Sequence, residues 1–257
     1  MTIKPFREEK IDDLLISLYQ TNEELGVAAA EEAAAVIQGA IHKKGVANVI
    51  LATGNSQLTF LTTLRTMPIE WSKVNVFHMD EYIGLAPTHP ASFPLFLKRH
   101  LLDYVQPKAF FPVPGGAQNT AQDCKTYEEL LRAHPADLCA LGIGENGHLA
   151  FNDPPLADFN DPAWVKVVKL DDASRRQQVG EGHFGHIDQV PTHAITLTVP
   201  ALLVAKRVLA IVPEARKVDA VYRTLYGPIS EECPSSILRK TPHAHLFLDA
   251  DSARLMQ

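Results

Sequence analysis

The chain has 257 residues, 46% of them hydrophobic and 21% charged, a composition that excludes disordered and fibrous classes and supports a full apolar core. Its 24 Lys and Arg against 30 Asp and Glu give a formal net charge of -6 with no basic run, which argues against nucleic acid as a partner. The longest apolar stretches, such as Val199 to Ala205, fall well short of the roughly 18 residues a membrane span needs, and the N-terminus lacks a signal-peptide pattern. We therefore expect a cytoplasmic protein with no membrane partner, folded as one domain over residues 1–257. Cys124, Cys139 and Cys233 are odd in number and share no CxxC spacing, so reduced, structural thiols are expected rather than a disulfide framework or a zinc site.

Short runs of Val, Ile and Leu alternate with helical patterns almost from end to end. That alternation predicts an α/β fold, a Rossmann-like domain with a mainly parallel sheet and helices on both faces. The expected strands are Leu14–Leu18, Val46–Ala52, Val74–His78, Asp137–Leu141, Val165–Leu170, Val208–Val212 and His245–Leu248. Between them the pattern predicts a long surface helix over Asn22–Lys44, with Glu23 and Glu24 in its first turn and Lys43 and Lys44 in its last, as the helix dipole favours. Further helices are expected at Leu58–Met67, Phe93–Leu102, Ala121–Ala133 and Ala215–Leu225.

Ligands of an open parallel sheet bind beyond the carboxyl ends of the strands, which singles out four segments. In the first, Thr53-Gly54-Asn55-Ser56-Gln57, a strand ends in a glycine turn before a helix, a geometry suited to phosphate and equally compatible with an ordinary capped turn. It is not a P-loop, since the second glycine and the Gly-Lys-Ser/Thr ending are absent. The second sets Asp80 and Glu81 side by side after a buried strand. Adjacent residues point apart, so one is expected to face a cleft and the other to bond the backbone. The third, Gly142-Ile143-Gly144-Glu145-Asn146-Gly147-His148, presents a histidine on a glycine-rich turn, with Asp153 five residues on as its carboxylate partner. The fourth, Pro213-Glu214-Ala215-Arg216-Lys217, places two cations in the first turn of a helix, where they oppose the dipole unless one meets an anion.

The phrases LATGNSQ, FHMDEYIGL, GIGENGHLAFNDPP, QVPTHAITLTVPAL and VPEARK stand in the order and spacing of the glucosamine-6-phosphate deaminase/isomerase family, and the resemblance extends from about Leu14 to Leu248. The related 6-phosphogluconolactonases share the Gly-His turn but follow it with a different run, so the deaminase branch is the better match. This resemblance implies a small-molecule amino-sugar phosphate as substrate, converted with water to a ketose phosphate and ammonia, with no metal or redox cofactor. It implies His148 as the proton carrier of ring opening, Asp153 as the group that orients it, and Asp80 as the base for transfer from C2 to C1. Gly54, Asn55, Ser56 and Lys217 would hold phosphate, and Glu81 and Gly147 join the expected substrate-binding set. A homo-oligomer is compatible with the sequence.

Three positions depart from the family pattern. Asn146 stands where members commonly carry Asp, and an amide supplies no negative charge. Asp153 alone then suffices, or Glu145 takes the role, or the reaction differs. Asp153 itself replaces the usual Glu. The phosphate-binding Arg before an aromatic pair is missing near Gly182-His183-Phe184, leaving Arg175 or Arg176 as substitutes. In hexameric bacterial members two serines after the acidic-Pro turn help form an allosteric site for an N-acetylated sugar phosphate. Here Leu156 and Ala157 follow, with Asp158 and Asp161 nearby, so no such activation is expected. Other readings are a galactosamine 6-phosphate isomerase, a lactonase and a non-enzymatic sugar-phosphate sensor, the last disfavoured because no basic helix-turn-helix precedes the first strand. His183 and His186 have metal-compatible spacing, but no further ligand completes a site.

Overall fold

The structure, a computed structural model, describes residues 3–154 and 156–256. In chain order the strands are β1 (Arg7–Ile11), β2 (Leu14–Tyr19), β3 (Ala47–Leu51), β4 (Val74–His78), β5 (Asp80–Tyr82), β6 (Ala109–Phe111), β7 (Leu138–Leu141), β8 (Val165–Lys169), β9 (His193–Leu197), β10 (Arg207–Val212) and β11 (Ala244–Asp249). The helices are α1 (Asn22–Lys44), α2 (Leu58–Leu64), α3 (Phe93–Leu97), α4 (Thr120–Ala133), α5 (Asp172–Gly180), α6 (Val199–Leu203) and α7 (Val218–Tyr226).

Successive strand side chains point to opposite faces, so an unbroken apolar run needs cover on both. In β10, Val208, Ala210 and Val212 enter one apolar cluster while Leu209 and Ile211 enter another across the sheet. Cys139 and Leu141 of β7 divide from Leu138 and Ala140 in the same way. The main sheet runs β1-β2-β11-β10-β7-β3-β4-β6 and is parallel except for the β1–β2 hairpin at its edge.

All seven expected strands form, with no end shifted by more than one residue. The run at Val165 leaves the parallel sheet, however. It pairs antiparallel with β9, which pairs antiparallel with β5, giving a separate three-stranded sheet in the order β5-β9-β8. β8 lacks the unbroken burial of the parallel strands: Val165 and Val168 are buried while Val167 and Lys169 are exposed, as a sheet covered only in part allows.

The helix over Asn22–Lys44 forms within the expected bounds, capped by Thr21, whose hydroxyl accepts from Glu24 N at 3.2 Å, and ended by Gly45 at φ 78. It is not a surface helix. Leu25, Ala28, Ala29, Ala30, Ala33, Ala34 and Ile37 are buried, because small side chains let the helix lie close to the sheet. A β-carbon on Gly26 would meet Thr59 Cγ2 of α2 at 2.5 Å, so only glycine permits that crossing. Glu32 completes the seating by reaching His245 Nδ1 at 2.7 Å on β11 and Arg207 Nε at 2.5 Å on β10. Among the described residues no helix is long and apolar enough to cross a membrane.

Candidate active site

The neighbouring strands β10, β7, β3 and β4 send their carboxyl-end segments into one cleft. From the β7–β3 pair the chain winds outward in opposite directions, to β4 and β6 on one side and to β10 and β11 on the other, which makes a topological switch point. The cleft encloses about 750 Å³ of space, part of it open to solvent.

His148 stands on the turn after β7. A side chain on Gly144 would put its β-carbon 2.2 Å from the imidazole, so that glycine is what lets the ring lie against the turn. Nδ1 lies 2.8 Å from Asn146 Oδ1, 3.1 Å from Asp153 Oδ1 and 3.1 Å from Ser174 Oγ. With acceptors gathered there we assign the ring proton to Nδ1, which leaves Nε2 for the cleft. Asn146 bridges the pair: its Oδ1 accepts from His148 N at 3.0 Å while its Nδ2 donates to Asp153 Oδ1 at 3.0 Å. Ser174 Oγ also donates to Asp153 Oδ1. Burial raises the Asp153 carboxyl, but hydrogen bonds from His148, Ser174 and Asn146 outweigh it and hold the group at about 2. Asp153 is fully buried and touches the ring edge directly, despite being shorter than a glutamate. Glu145 is exposed and meets Gln177 only through its backbone N–H, so it does not take the relay position.

Asp80 and Glu81 part as their adjacency predicts. Asp80 lines the cleft, and burial followed by the nearby Glu81 charge lifts its carboxyl to about 8. His78 gives it no counter-charge: its Nε2 accepts from Val113 N at 2.8 Å, and complete burial lowers the imidazole to about 3, keeping it neutral. Glu81 turns away from the cleft. Its carboxylate accepts from Tyr82 N at 2.8 Å, Ser92 Oγ at 2.8 Å and Phe93 N at 3.2 Å, pinning the loop that brings Ala91 and Phe93 to the wall. Its expected place among the substrate-binding residues is corrected to that of a loop anchor. Gly147 is corrected likewise, because it faces Cys233, whose sulfur would lie 2.7 Å from an added β-carbon, and its φ of 92 requires glycine.

The other end of the cleft is cationic. Gly54, at φ 102, turns the chain so that Asn55 and Ser56 line the cavity, and Lys217 enters from beyond β10. Lys217 is 4% exposed and has no ion pair at contact distance among the described residues; burial lowers its ammonium, an effect that Glu181 opposes. Arg216 is engaged instead with Glu214 at 2.7 Å and Glu181 at 3.3 Å. Glu214 sits at φ 83 and ψ 141, a backbone region that strongly favours glycine, so the turn carrying both cations is held under strain.

Neither substitute expected for the missing arginine reaches the cleft. Arg175 donates to Ile187 O at 2.7 Å and Val190 O at 3.1 Å, tying down a loop, and Arg176 is exposed outside the cavity. His183 lines the cavity instead, while His186 is exposed and faces Asp188 at 3.5 Å, so the two histidines do not converge. Sequence reasoning also missed Ser174, Gln177 and Glu181, all on or beside α5. That helix has no apolar stripe to reveal it, although Asp171, whose side chain accepts from Ala173 N at 3.2 Å, is a legible N-cap.

Residues 20–247 match the family described as glucosamine-6-phosphate isomerases/6-phosphogluconolactonase. A glucosamine-6-phosphate deaminase of Bacillus cereus strain B4264 is 34% identical over 240 residues, covering 93% of this chain and 88% of that protein. One of Bacillus anthracis strain A0248 is 33% identical over the same shares. A solved monomeric glucosamine-6-phosphate deaminase aligns with a TM-score of 0.86 and 29% identity, covering 93% of this chain and 99% of its own. A 6-phosphogluconolactonase of Thermotoga maritima, with a TM-score of 0.74 and 19% identity over 92% of this chain and 99% of its own, shares the fold.

Proposed function

The chain belongs to the glucosamine-6-phosphate isomerase/6-phosphogluconolactonase family, and on that premise we propose that it is a deaminating isomerase, converting glucosamine 6-phosphate and water to fructose 6-phosphate and ammonia. The observation that carries this reading is Asp80. Opening a lactone requires no proton to leave carbon, whereas moving a hydrogen from C2 to C1 requires a base, and a buried carboxyl lifted to about 8 in the cleft of His148 suits that task.

His148 Nε2 takes the proton of the 1-hydroxyl and returns it to the ring oxygen as the C1–O5 bond breaks, giving the open-chain aldehyde. Asp153 and Asn146 hold the ring for this transfer, and the buried Asp153 carboxylate stabilises the imidazolium that forms. Asp80 then removes the C2 proton while O1 takes a proton from the substrate's own 2-ammonium group, which produces an enolamine. Return of the proton from Asp80 to C1 leaves an iminium at C2. Water adds there, ammonia departs, and the ketose phosphate remains. Lys217, with Gly54, Asn55 and Ser56, holds the phosphate at the cationic end.

Incubation with glucosamine 6-phosphate, galactosamine 6-phosphate and 6-phosphogluconolactone, with ammonia and ketose phosphate both measured, tests the reading. Equal amounts of ammonia and fructose 6-phosphate from the first substrate are expected. Ammonia from the galactosamine epimer alone would reassign the substrate, and lactone hydrolysis without ammonia release would overturn the reaction class.

A further inference from the structure

The cations at the phosphate end are already facing an anion that belongs to the chain. Glu181 closes the C-terminus of α5, and its carboxylate, 6% exposed, turns back into the cleft. Oε1 lies 3.3 Å from Arg216 Nη1 and accepts from Gln177 Nε2 at 2.8 Å, while Oε2 lies 3.4 Å from His183 Nε2. Across the cavity the same Oε2 is the nearest atom, at 4.0 Å, to where a β-carbon on Gly54 would stand. The Glu181 backbone carbonyl also accepts from Asn55 Nδ2 at 3.4 Å. Burial raises this carboxyl, yet His183, Arg216, Gln177 and Lys217 together bring it down to about 2, so it is ionised throughout the neutral range.

We propose that Glu181 is an internal counter-ion seated in the phosphate cradle, and that an incoming phosphate monoester binds by displacing it. The proposal rests on the reading that this end of the cleft receives phosphate. A carboxylate and a phosphate of nearly two negative charges repel strongly at such range in a water-poor cleft, so the two do not share the cradle. The phosphate has the advantage in the exchange. It carries more charge, offers three acceptor oxygens, and can engage Lys217, which Glu181 leaves without a contact partner. A singly charged ester gains little by replacing a singly charged carboxylate, and the device therefore selects dianions.

The local chain is built to let Glu181 leave. Gly180 and Gly182 flank it, a β-carbon on either would meet nothing within 4 Å, and Gly182 already lies at φ 81. The turn can thus rotate while the start of α5 stays fixed by Ser174 against His148 and Asp153.

Calorimetric titration of inorganic phosphate into the unmodified chain, Glu181→Gln and Lys217→Gln tests the proposal. Glu181→Gln keeps the shape and removes the competing charge, so at least tenfold tighter binding is expected, with at least tenfold weaker binding for Lys217→Gln. Unchanged or weaker binding in Glu181→Gln, beside the expected loss in Lys217→Gln, would overturn the counter-ion while leaving the phosphate end in place. Undiminished binding in Lys217→Gln would remove the phosphate reading and the proposal with it. Hydrogen exchange on the unmodified chain gives an independent answer: phosphate should raise exchange over residues 178–183, and protection of that segment would contradict displacement.

Discussion

Asn146 Oδ1 lies 2.8 Å from His148 Nδ1 while its own amide nitrogen donates 3.0 Å to Asp153, so the amide works as a neutral bridge between base and carboxylate. Replacing it by aspartate removes that donor and brings two carboxylates together beside the ring. Asn146→Asp is therefore expected to lower turnover of closed glucosamine 6-phosphate about tenfold, more than that of an open-chain analogue, with some loss of thermal stability from the like-charge contact. Parent turnover and an unchanged Tm in the variant would mean that Asp153 alone holds the ring.

Ser174 is a positioning residue in the same group. Its hydroxyl touches His148 Nδ1 at 3.1 Å and donates to Asp153, and it is buried. Ser174→Ala should lower turnover of glucosamine 6-phosphate about tenfold, as expected for a lost hydrogen bond to a charged group worth roughly 1.5 kcal/mol. The loss should be smaller on an open-chain analogue, and the same split should be larger in His148→Ala. Equal losses on the closed and open substrates would assign both residues a purely structural role.

Much of this was legible in order along the chain. The strand runs, the bounds of α1 and the separation of Asp80 from Glu81 follow from periodicity, from caps and from the alternation of adjacent side chains. What escaped has a common cause. β1, with the sequence REEKI, and α5, with the sequence DASRRQQVG, carry few apolar residues, because hairpin pairing and long-range polar contacts position them. The pocket roles of Ser174, Glu181 and His183 depend on α5 folding across the cleft, a long-range arrangement with no local signal. The depth of α1 was hidden for the opposite reason: an alanine-rich helix reads as having no strong apolar face, yet its small side chains are what permit close approach to the sheet.

Regulation by an N-acetylated sugar phosphate should be absent. Lys166, the first basic residue after the turn in sequence, is occupied by Asp161 at 2.8 Å and by the Leu156 carbonyl at 2.9 Å, so it is not available to an effector phosphate. Saturation curves for glucosamine 6-phosphate should be hyperbolic and unchanged by N-acetylglucosamine 6-phosphate, since an effector acts only through differential binding. Sigmoidal curves that become hyperbolic with the acetylated compound would contradict this.

The buried Asp80 carboxyl links pH to both activity and stability. Lifted from 3.8 to about 8, it exchanges its proton near neutral pH, so kcat/KM should rise with pH through about 8 as the base form accumulates. Below pH 3.8 the carboxyl is protonated both folded and unfolded. Between that value and about 8 only the unfolded form ionises, so its contribution to stability falls as pH rises through this window. Asp80→Asn removes that penalty and should raise Tm at pH 8 by roughly 2–6 °C, as expected for about 1–2 kcal/mol in a chain of this size. A lower Tm in the variant would show that the carboxylate is stabilised by its surroundings.

The central claim is that Asp80 moves the C2 proton, and the most direct measurement is ammonia release from glucosamine 6-phosphate by Asp80→Asn beside the parent, with binding of inorganic phosphate measured in both. Turnover is expected to fall by at least about 10³-fold, in keeping with loss of an essential base, with phosphate binding within about twofold of the parent. Ammonia release at the parent rate by a variant that binds phosphate normally would contradict it.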